Sequence, residues 1–426
     1  MGRSARRMTT FEISVRFFLQ LAVVLVACRG VSALARRLGQ PPVVGEMIAG
    51  VLLGPSLFGL LAPAAQAWIF PAVSKPVLFA GAQVGLVLYM FCVGLEFRLD
   101  LLGARWKSAA VISASGILAP FALGCGLAWW LVQRGGFFSP AITLNQAMPY
   151  MGAALAITAF PMLARIISER KLSGTTEGTL ALAAGAIDDA AAWGVLALVL
   201  AALAGHPAQA VWAVAGGVGF VILLRVARPL LVRIGARWRQ SEDDRRAALG
   251  SVLVLLMLAA WFTDTIGLYA VFGAFFLGAA WPRGEFAEHV RGVIEPLASR
   301  LWLPLFFIYS GLNTRFDLLT NPTLWVVALV ALAAAVAGKA GACYLAARAC
   351  GETSRTAWGI GMLMNARGLM ELIILNIGLE RGLITPTLFS ILVFMAIVTT
   401  LMATPLFNFV QRMSATEPVR GGAGGG

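Results

Sequence analysis

The sequence predicts an all-α polytopic membrane protein of about 13 transmembrane helices, and three observations carry that prediction. Hydrophobic residues make up 59% of the 426-residue chain and charged residues only 12%, about half the charge of a soluble protein. Apolar windows near the ~20 residues that cross a bilayer recur along the whole length. Two adjacent carboxylates, Asp188 and Asp189, sit inside one of the most apolar stretches, Gly178–Leu203, which holds no other ionisable residue. A carboxylate at that depth costs about 2.5–3.5 kcal/mol on insertion scales, so the pair is read as functional, a place where positive charge passes.

The helical windows run, in order, over 13–37, 41–61, 77–97, 108–133, 146–168, 175–203, 208–227, 246–265, 268–282, 291–312, 323–348, 354–378 and 386–411. An odd number of spans puts the termini on opposite sides. One set of loops carries twenty Lys and Arg, including the run Arg225–Arg246; the opposite set, with Arg3, Arg6 and Arg7 of the N-terminal tail, carries seven. The positive-inside rule then puts the C-terminus in the cytoplasm of a cell (inner or plasma) membrane. The basic stretch Arg225–Arg246 reads as a loop near mid-chain. It divides a first half (13–203) from a second half (246–412), with a linker helix and the basic loop over 208–246. Such a division suits an inverted repeat within one transmembrane domain over 13–412. Residues 1–12 form an N-terminal tail, and the glycine-rich 413–426 is expected to be disordered. The apolar stretch that follows the basic start is too long for a cleavable signal peptide.

The formal charge of +13 does not indicate nucleic acid, because the basic residues are spread over short loops and form no basic face with interleaved aromatics. The five cysteines (Cys28, Cys92, Cys125, Cys343, Cys350) are scattered without ligand spacing and read as small packing residues. His206 and His289 lie beside predicted loops and read as surface residues. Glu46, Asp264, Arg29 and Arg300 fall near window ends, where interface hydration, packing or local pairing explains them.

Two windows are predicted to break. Pro161 in MGAALAITAFPMLARIISERK removes a backbone donor and crowds the preceding turn, which interrupts or kinks the helix near Thr158–Pro161. In GIGMLMNARGLMELIILNIG, the residues Asn365, Arg367, Gly368 and Glu371 interrupt an otherwise apolar helix. Arg367 and Glu371 are spaced i,i+4 and can pair on one face, a structural ion pair supporting an unwound turn. One interrupted helix in each half is the sequence pointer to a transporter's binding site. Lys339, mid-helix between Gly338 and Gly341, is too deep to reach water easily and needs a carboxylate partner, one of the two aspartates. A static salt bridge and a proton-carrying pair are both open readings of it.

These segments together resemble the cation:proton antiporter-2 family, which includes Kef-type bacterial exchangers and plant cation/proton exchangers. The matching stretches are VVGEMIAGVLLGPSLFG (43–59), AITAFPMLARIISERKL (156–172) and AGAIDDAAAWGVLALVLA (184–201). TDTIGLYAVFGAFFLGA (263–279), LPLFFIYSGLNT (303–314) and MNARGLMELIILNIGLERGLI (364–384) follow in the same order. The resemblance implies thirteen helices in two inverted halves, the sodium/proton antiporter-type fold with two broken helices, a homodimer, and an elevator-like motion. It implies that Asp189 binds the monovalent metal cation or the proton, that Thr158 lines the site, and that Lys339 pairs with the first aspartate. Asp188 stands where plant-type relatives usually carry Asn, and the resemblance links an Asp there to electrogenic exchange.

The expected function is therefore exchange of Na⁺ or K⁺ for protons at one shared carboxylate by alternating access. No cofactor is expected, and a separate regulatory subunit is one route to any Kef-like control. Proton-coupled export of an organic substrate is the first alternative, because fold does not fix substrate. A membrane enzyme using the Asp pair is the second. It fares worse, because adjacent helical residues point about 100° apart and no supporting His or D-x-x-x-D spacing accompanies them.

Overall fold

A computed structural model describes residues 8–96, 105–170, 172, 175–203, 207–238, 241–266, 269–319 and 321–415; at some helical positions, Pro161 and Asp189 among them, it describes the backbone alone. Arg98, Lys171, Arg239, Arg420 and His206, with the N-terminal arginines and residues 416–426, fall outside the described residues.

The described chain is helical and contains no β-strand. The first half supplies α1 (Thr10–Arg37), α2 (Pro42–Leu53), α3 (Phe58–Leu61), α4 (Pro63–Ile69), α5 (Lys75–Glu96), α6 (Trp106–Arg134), α7 (Leu144–Ala156), α8 (Phe160–Glu169) and α9 (Thr176–Leu203). Then come α10 (Pro207–Val226), α11 (Arg228–Arg237), α12 (Glu242–Thr265), α13 (Ala270–Ala280), α14 (Glu285–Leu297) and α15 (Leu303–Leu312). The chain closes with α16 (Pro322–Val336), α17 (Ala342–Ala349), α18 (Ser354–Met364), α19 (Leu369–Glu380) and α20 (Pro386–Ala415). Among the described residues seven helices are long and apolar enough to cross a bilayer, or eight if α10 and α11, bent by 48°, count as one span. The protein is a multi-pass membrane protein.

Helix starts follow from local chemistry. Thr9 and Glu12 form a reciprocal capping box on α1, and Thr143 and Gln146 form another on α7. The hydroxyls of Ser241 and Thr353 accept the first free amides of α12 and α18. The basic stretch expected as a loop is helical over α11. Pro229 stands at its first turn, where a missing N–H costs nothing, and Leu231 is buried while Arg228, Arg233 and Arg237 point outward. A one-sided apolar contact is enough to fold a segment whose composition reads as loop.

The chain divides into two compact units, each drawn from both halves of the sequence: 1–98, 193–322 and 384–390 in one, 99–192, 323–383 and 391–426 in the other. In the first unit, α5 packs against α13 and α15, and α2 against α1 and α15. Small residues set that spacing. A Cβ on Gly50 of α2 would overlap the Phe307 carbonyl of α15, and one on Gly94 of α5 would overlap the Phe275 carbonyl of α13. In the second unit, α6 packs along α7 and against α17, which contacts α18. Gly124 of α6 meets Met151 and Gly152 of α7 so closely that a Cβ would lie 2.7 Å from the Gly152 Cα.

The loop and end charges behave as ordinary surface. Arg29, Asp264, His289 and Arg300 are exposed, and all five cysteines are free thiols. His289 lies with its ring 5.4 Å from that of Trp238.

Candidate ion-binding site

The site lies in the second unit, where two helices lose their hydrogen-bond ladders side by side. The first stops at Ala156 and resumes at Phe160; the second stops at Met364 and resumes at Leu369. Pro161 stands in the first turn of the resumed helix α8, where its missing donor and fixed φ favour a start over a continuation. The two breaks meet: the Ala159 amide donates to the Ala366 carbonyl at 3.2 Å. Thr400 of α20 donates to the Arg367 carbonyl at 2.9 Å, bracing the second break from another side.

An α-helix ends with carbonyls that have no internal partner, and in hydrocarbon each must find one. At the end of α7 two cationic side chains supply them. Lys339 Nζ donates to the Ala156 carbonyl at 2.6 Å, and Arg367 donates to the Ala154 and Leu155 carbonyls at 3.1 and 2.6 Å. The negative pole of the helix end adds to this preference for cations.

Lys339 reaches that point from a π turn, Ala337–Gly341, inserted between α16 and α17. Such one-turn insertions re-aim a side chain within a continuous helix and collect at functional sites. Gly116 of α6 makes room: a Cβ there would sit 2.6 Å from Cys343 Sγ and 3.7 Å from Lys339 Cε.

Asp188 is the hub. Lys339 Nζ lies 2.6 Å from Oδ2, and both side chains are 1% exposed. Thr158 Oγ1 lies 2.9 Å from the same oxygen, and Ser113 of α6 donates to Oδ1 at 2.5 Å. Three donors therefore surround one buried carboxylate, and each hydrogen bond to a charged group contributes about 1.5–3 kcal/mol. Thr158 Oγ1 also lies 3.2 Å from the Met364 carbonyl, so its single proton serves two acceptors. Asp189 follows Asp188 in α9, and its side chain lies outside the described residues.

Arg367 and Glu371 are paired at 3.3 Å, both 1% exposed. The guanidinium spends its hydrogen bonds on α7, however, so this cation supports the helix break of the other half as well as its own turn. Among the described residues, both Glu371 carboxylate oxygens and Arg367 Nε lack hydrogen-bond partners. So do both amide atoms of Asn365, each buried unpartnered atom costing about 1–3 kcal/mol.

Of the residues singled out from the sequence, the structure brings Asp188, Lys339 and Thr158 into direct contact and sets Arg367, Glu371 and Asn365 at the second break. Ser113 and Thr400 were not anticipated. Each is one of three hydroxyls in an apolar segment, and nothing in WKSAAVISASGILAP or FSILVFMAIVTTLMA marks the one that reaches across.

Residues 21–410 match the family described as sodium/hydrogen exchanger, transmembrane. The chain is 38% identical over 389 residues to a Na⁺/H⁺ antiporter of Synechocystis, covering 91% of this chain and 95% of that protein. It is 38% identical to cation/H⁺ antiporter 17 of Arabidopsis thaliana and 32% identical to K⁺/H⁺ antiporter 1 of Saccharomyces cerevisiae. Those matches cover 92% and 95% of this chain but only 48% and 47% of those longer proteins. The fold is similar to that of the sodium proton antiporter MjNhaP1 from Methanocaldococcus jannaschii, with a TM-score of 0.66, 15% identity, and coverage of 94% of this chain and 99% of that one. The chain is therefore a member of the sodium/hydrogen exchanger transmembrane family, a family of secondary cation:proton antiporters rather than enzymes.

Proposed function

We propose that the protein exchanges a monovalent cation, Na⁺ or K⁺, for protons at one carboxylate site by alternating access. The observation that carries this reading is the buried Asp188–Lys339 pair at the meeting point of two interrupted helices. A buried, fully bonded charge pair is poor insurance for stability, since apolar replacements often serve as well; its place at a double helix break suits ion handling better. Relatives named for Na⁺/H⁺ and for K⁺/H⁺ exchange support either cation.

In this mechanism Asp189 binds either the cation or a proton, so one must leave before the other enters. Thr158 lines the same site. Asp188 and Lys339 form the pair that loosens when the cation arrives. When Lys339 then releases its proton, two protons move against one cation and each cycle carries net charge. The bonds from Arg367 to Ala154 and Leu155 hold the end of α7 through the cycle, while the bond from Lys339 to Ala156 weakens when Lys339 gives up its proton. No cofactor takes part. The protein works as a homodimer in the cell membrane, its C-terminus cytoplasmic, with any regulatory subunit a separate chain.

The test is flux in proteoliposomes read with a pH-sensitive dye, scanning Na⁺, K⁺ and Li⁺. Asp189→Asn is expected to abolish cation-dependent proton movement; exchange that persists overturns the assignment.

A further inference from the structure

We propose that Asn365 is a direct ligand of the transported cation and sets which alkali cation is preferred. This rests on the exchanger reading above and adds a ligand from the second interrupted helix. The residue follows Met364, the last residue of α18, and its side chain is 1% exposed. Neither Oδ1 nor Nδ2 has a hydrogen-bond partner among the described residues.

A bracing role does not account for Asn365. The bonds that hold the second break come from the Ala159 amide to Ala366, from Thr158 to Met364, from Thr400 to Arg367, and from Arg367 to α7. The Asn365 side chain contributes none of them. A buried amide that holds nothing among the described residues yet carries an oxygen acceptor is suited to a ligand that comes and goes.

The two helix ends at the site are also treated differently. The last carbonyls of α7 receive the side chains of Lys339 and Arg367. The last turn of α18 receives only backbone amides and the Thr158 hydroxyl among the described residues. A helix C-terminus is a negative pole, so this end retains affinity for positive charge that no described side chain meets. Thr158 sharpens the point. Its one proton cannot serve Asp188 and Met364 fully at once, so whenever it turns to Asp188 the Met364 carbonyl is released. The carbonyl of Met364, the amide oxygen of Asn365 and the Thr158 oxygen are all hard, neutral oxygen donors. Neutral oxygens replace part of the hydration shell of an alkali cation, and their number and field strength decide between Li⁺, Na⁺ and K⁺.

The experiment compares wild-type protein, Asn365→Ala and Asn365→Ser in proteoliposomes, with apparent KM and kcat measured for each of the three cations at fixed pH. Loss of one ligand is expected to raise KM for the preferred cation about tenfold and to flatten the preference among the three. Asn365→Ser, which keeps an oxygen, is expected to recover part of both. In detergent, the rise in unfolding temperature on adding the preferred cation should shrink in parallel. Unchanged KM ratios and unchanged cation stabilisation in either variant overturn the ligand assignment. If Asn365→Ala does not fold, Asn365→Ser decides by the same ratios. Wild-type protein that moves protons with none of the three cations overturns the exchanger reading itself, a different outcome from a variant that merely keeps wild-type selectivity.

Discussion

Lys339 Nζ stands 2.6 Å from Asp188 Oδ2 and 2.6 Å from the Ala156 carbonyl, so one ammonium joins a carboxylate on α9 to the end of an interrupted helix. A change in its charge is therefore felt at two places. Releasing the proton removes a counter-ion from Asp188 and weakens the group that finishes α7.

Breaking this pair from one side leaves an uncompensated buried charge. Lys339→Met is expected to destabilise the protein by about 3–5 kcal/mol, and Asp188→Asn by a similar amount. The double variant is expected to lose less than the sum of the two, a coupling that a double-mutant cycle on thermal unfolding in detergent measures. If the pair also sets the charge moved, exchange by the double variant becomes insensitive to an imposed membrane potential.

Arg367→Lys keeps the charge and removes the fork. A guanidinium reaches two successive carbonyls, Ala154 and Leu155; an ammonium on a straight stem cannot reproduce that geometry. About 1.5–3 kcal/mol is expected to be lost per charged hydrogen bond not re-formed, seen as a lower unfolding temperature together with lower kcat.

Ser113→Ala removes the only described donor to Asp188 Oδ1. The expected cost is about 1–3 kcal/mol of stability. Ser113→Thr, which keeps the hydroxyl, should recover most of it in the same melting experiment.

Gly116→Ala places a methyl 2.6 Å from Cys343 Sγ, on the helix that carries Lys339. Overpacking of this kind costs about 1–3 kcal/mol and is expected to slow transport by displacing the π turn. The second-site change Cys343→Ala should relieve both effects; failure of that rescue would separate the glycine from the position of Lys339.

The interrupted helices were legible in the sequence because proline, glycine and charge in an apolar helix each have a local physical meaning. Pro161, Gly368 and the i,i+4 pair Arg367–Glu371 announced breaks that fall at 157–159 and 365–368. Lys339 announced a carboxylate partner for a similar reason: an ammonium at that depth needs one. Ser113 was not legible. Most membrane-helix hydroxyls bond back to their own turn, as Ser251 does to Ala247 and Thr399 to Met395, and sequence does not mark the one that crosses to another helix. The reach of Arg367 to α7 was hidden too, because it spans 213 residues and depends on tertiary packing alone. The helix α11 was masked by its arginines, which composition reads as loop.

The partners of the α7 carbonyls have a consequence for how the chain is made. Ala154, Leu155 and Ala156 are completed by residues that lie 183 to 213 positions later in the sequence. At ribosomal speeds of about 5–20 residues per second, roughly 10–40 s pass between synthesis of that helix end and arrival of Lys339 and Arg367. During biogenesis the first interrupted helix must wait with its oxygens uncapped and Asp188 uncompensated. Those segments reach their finished packing only after the last third of the chain has been threaded into the bilayer beside them.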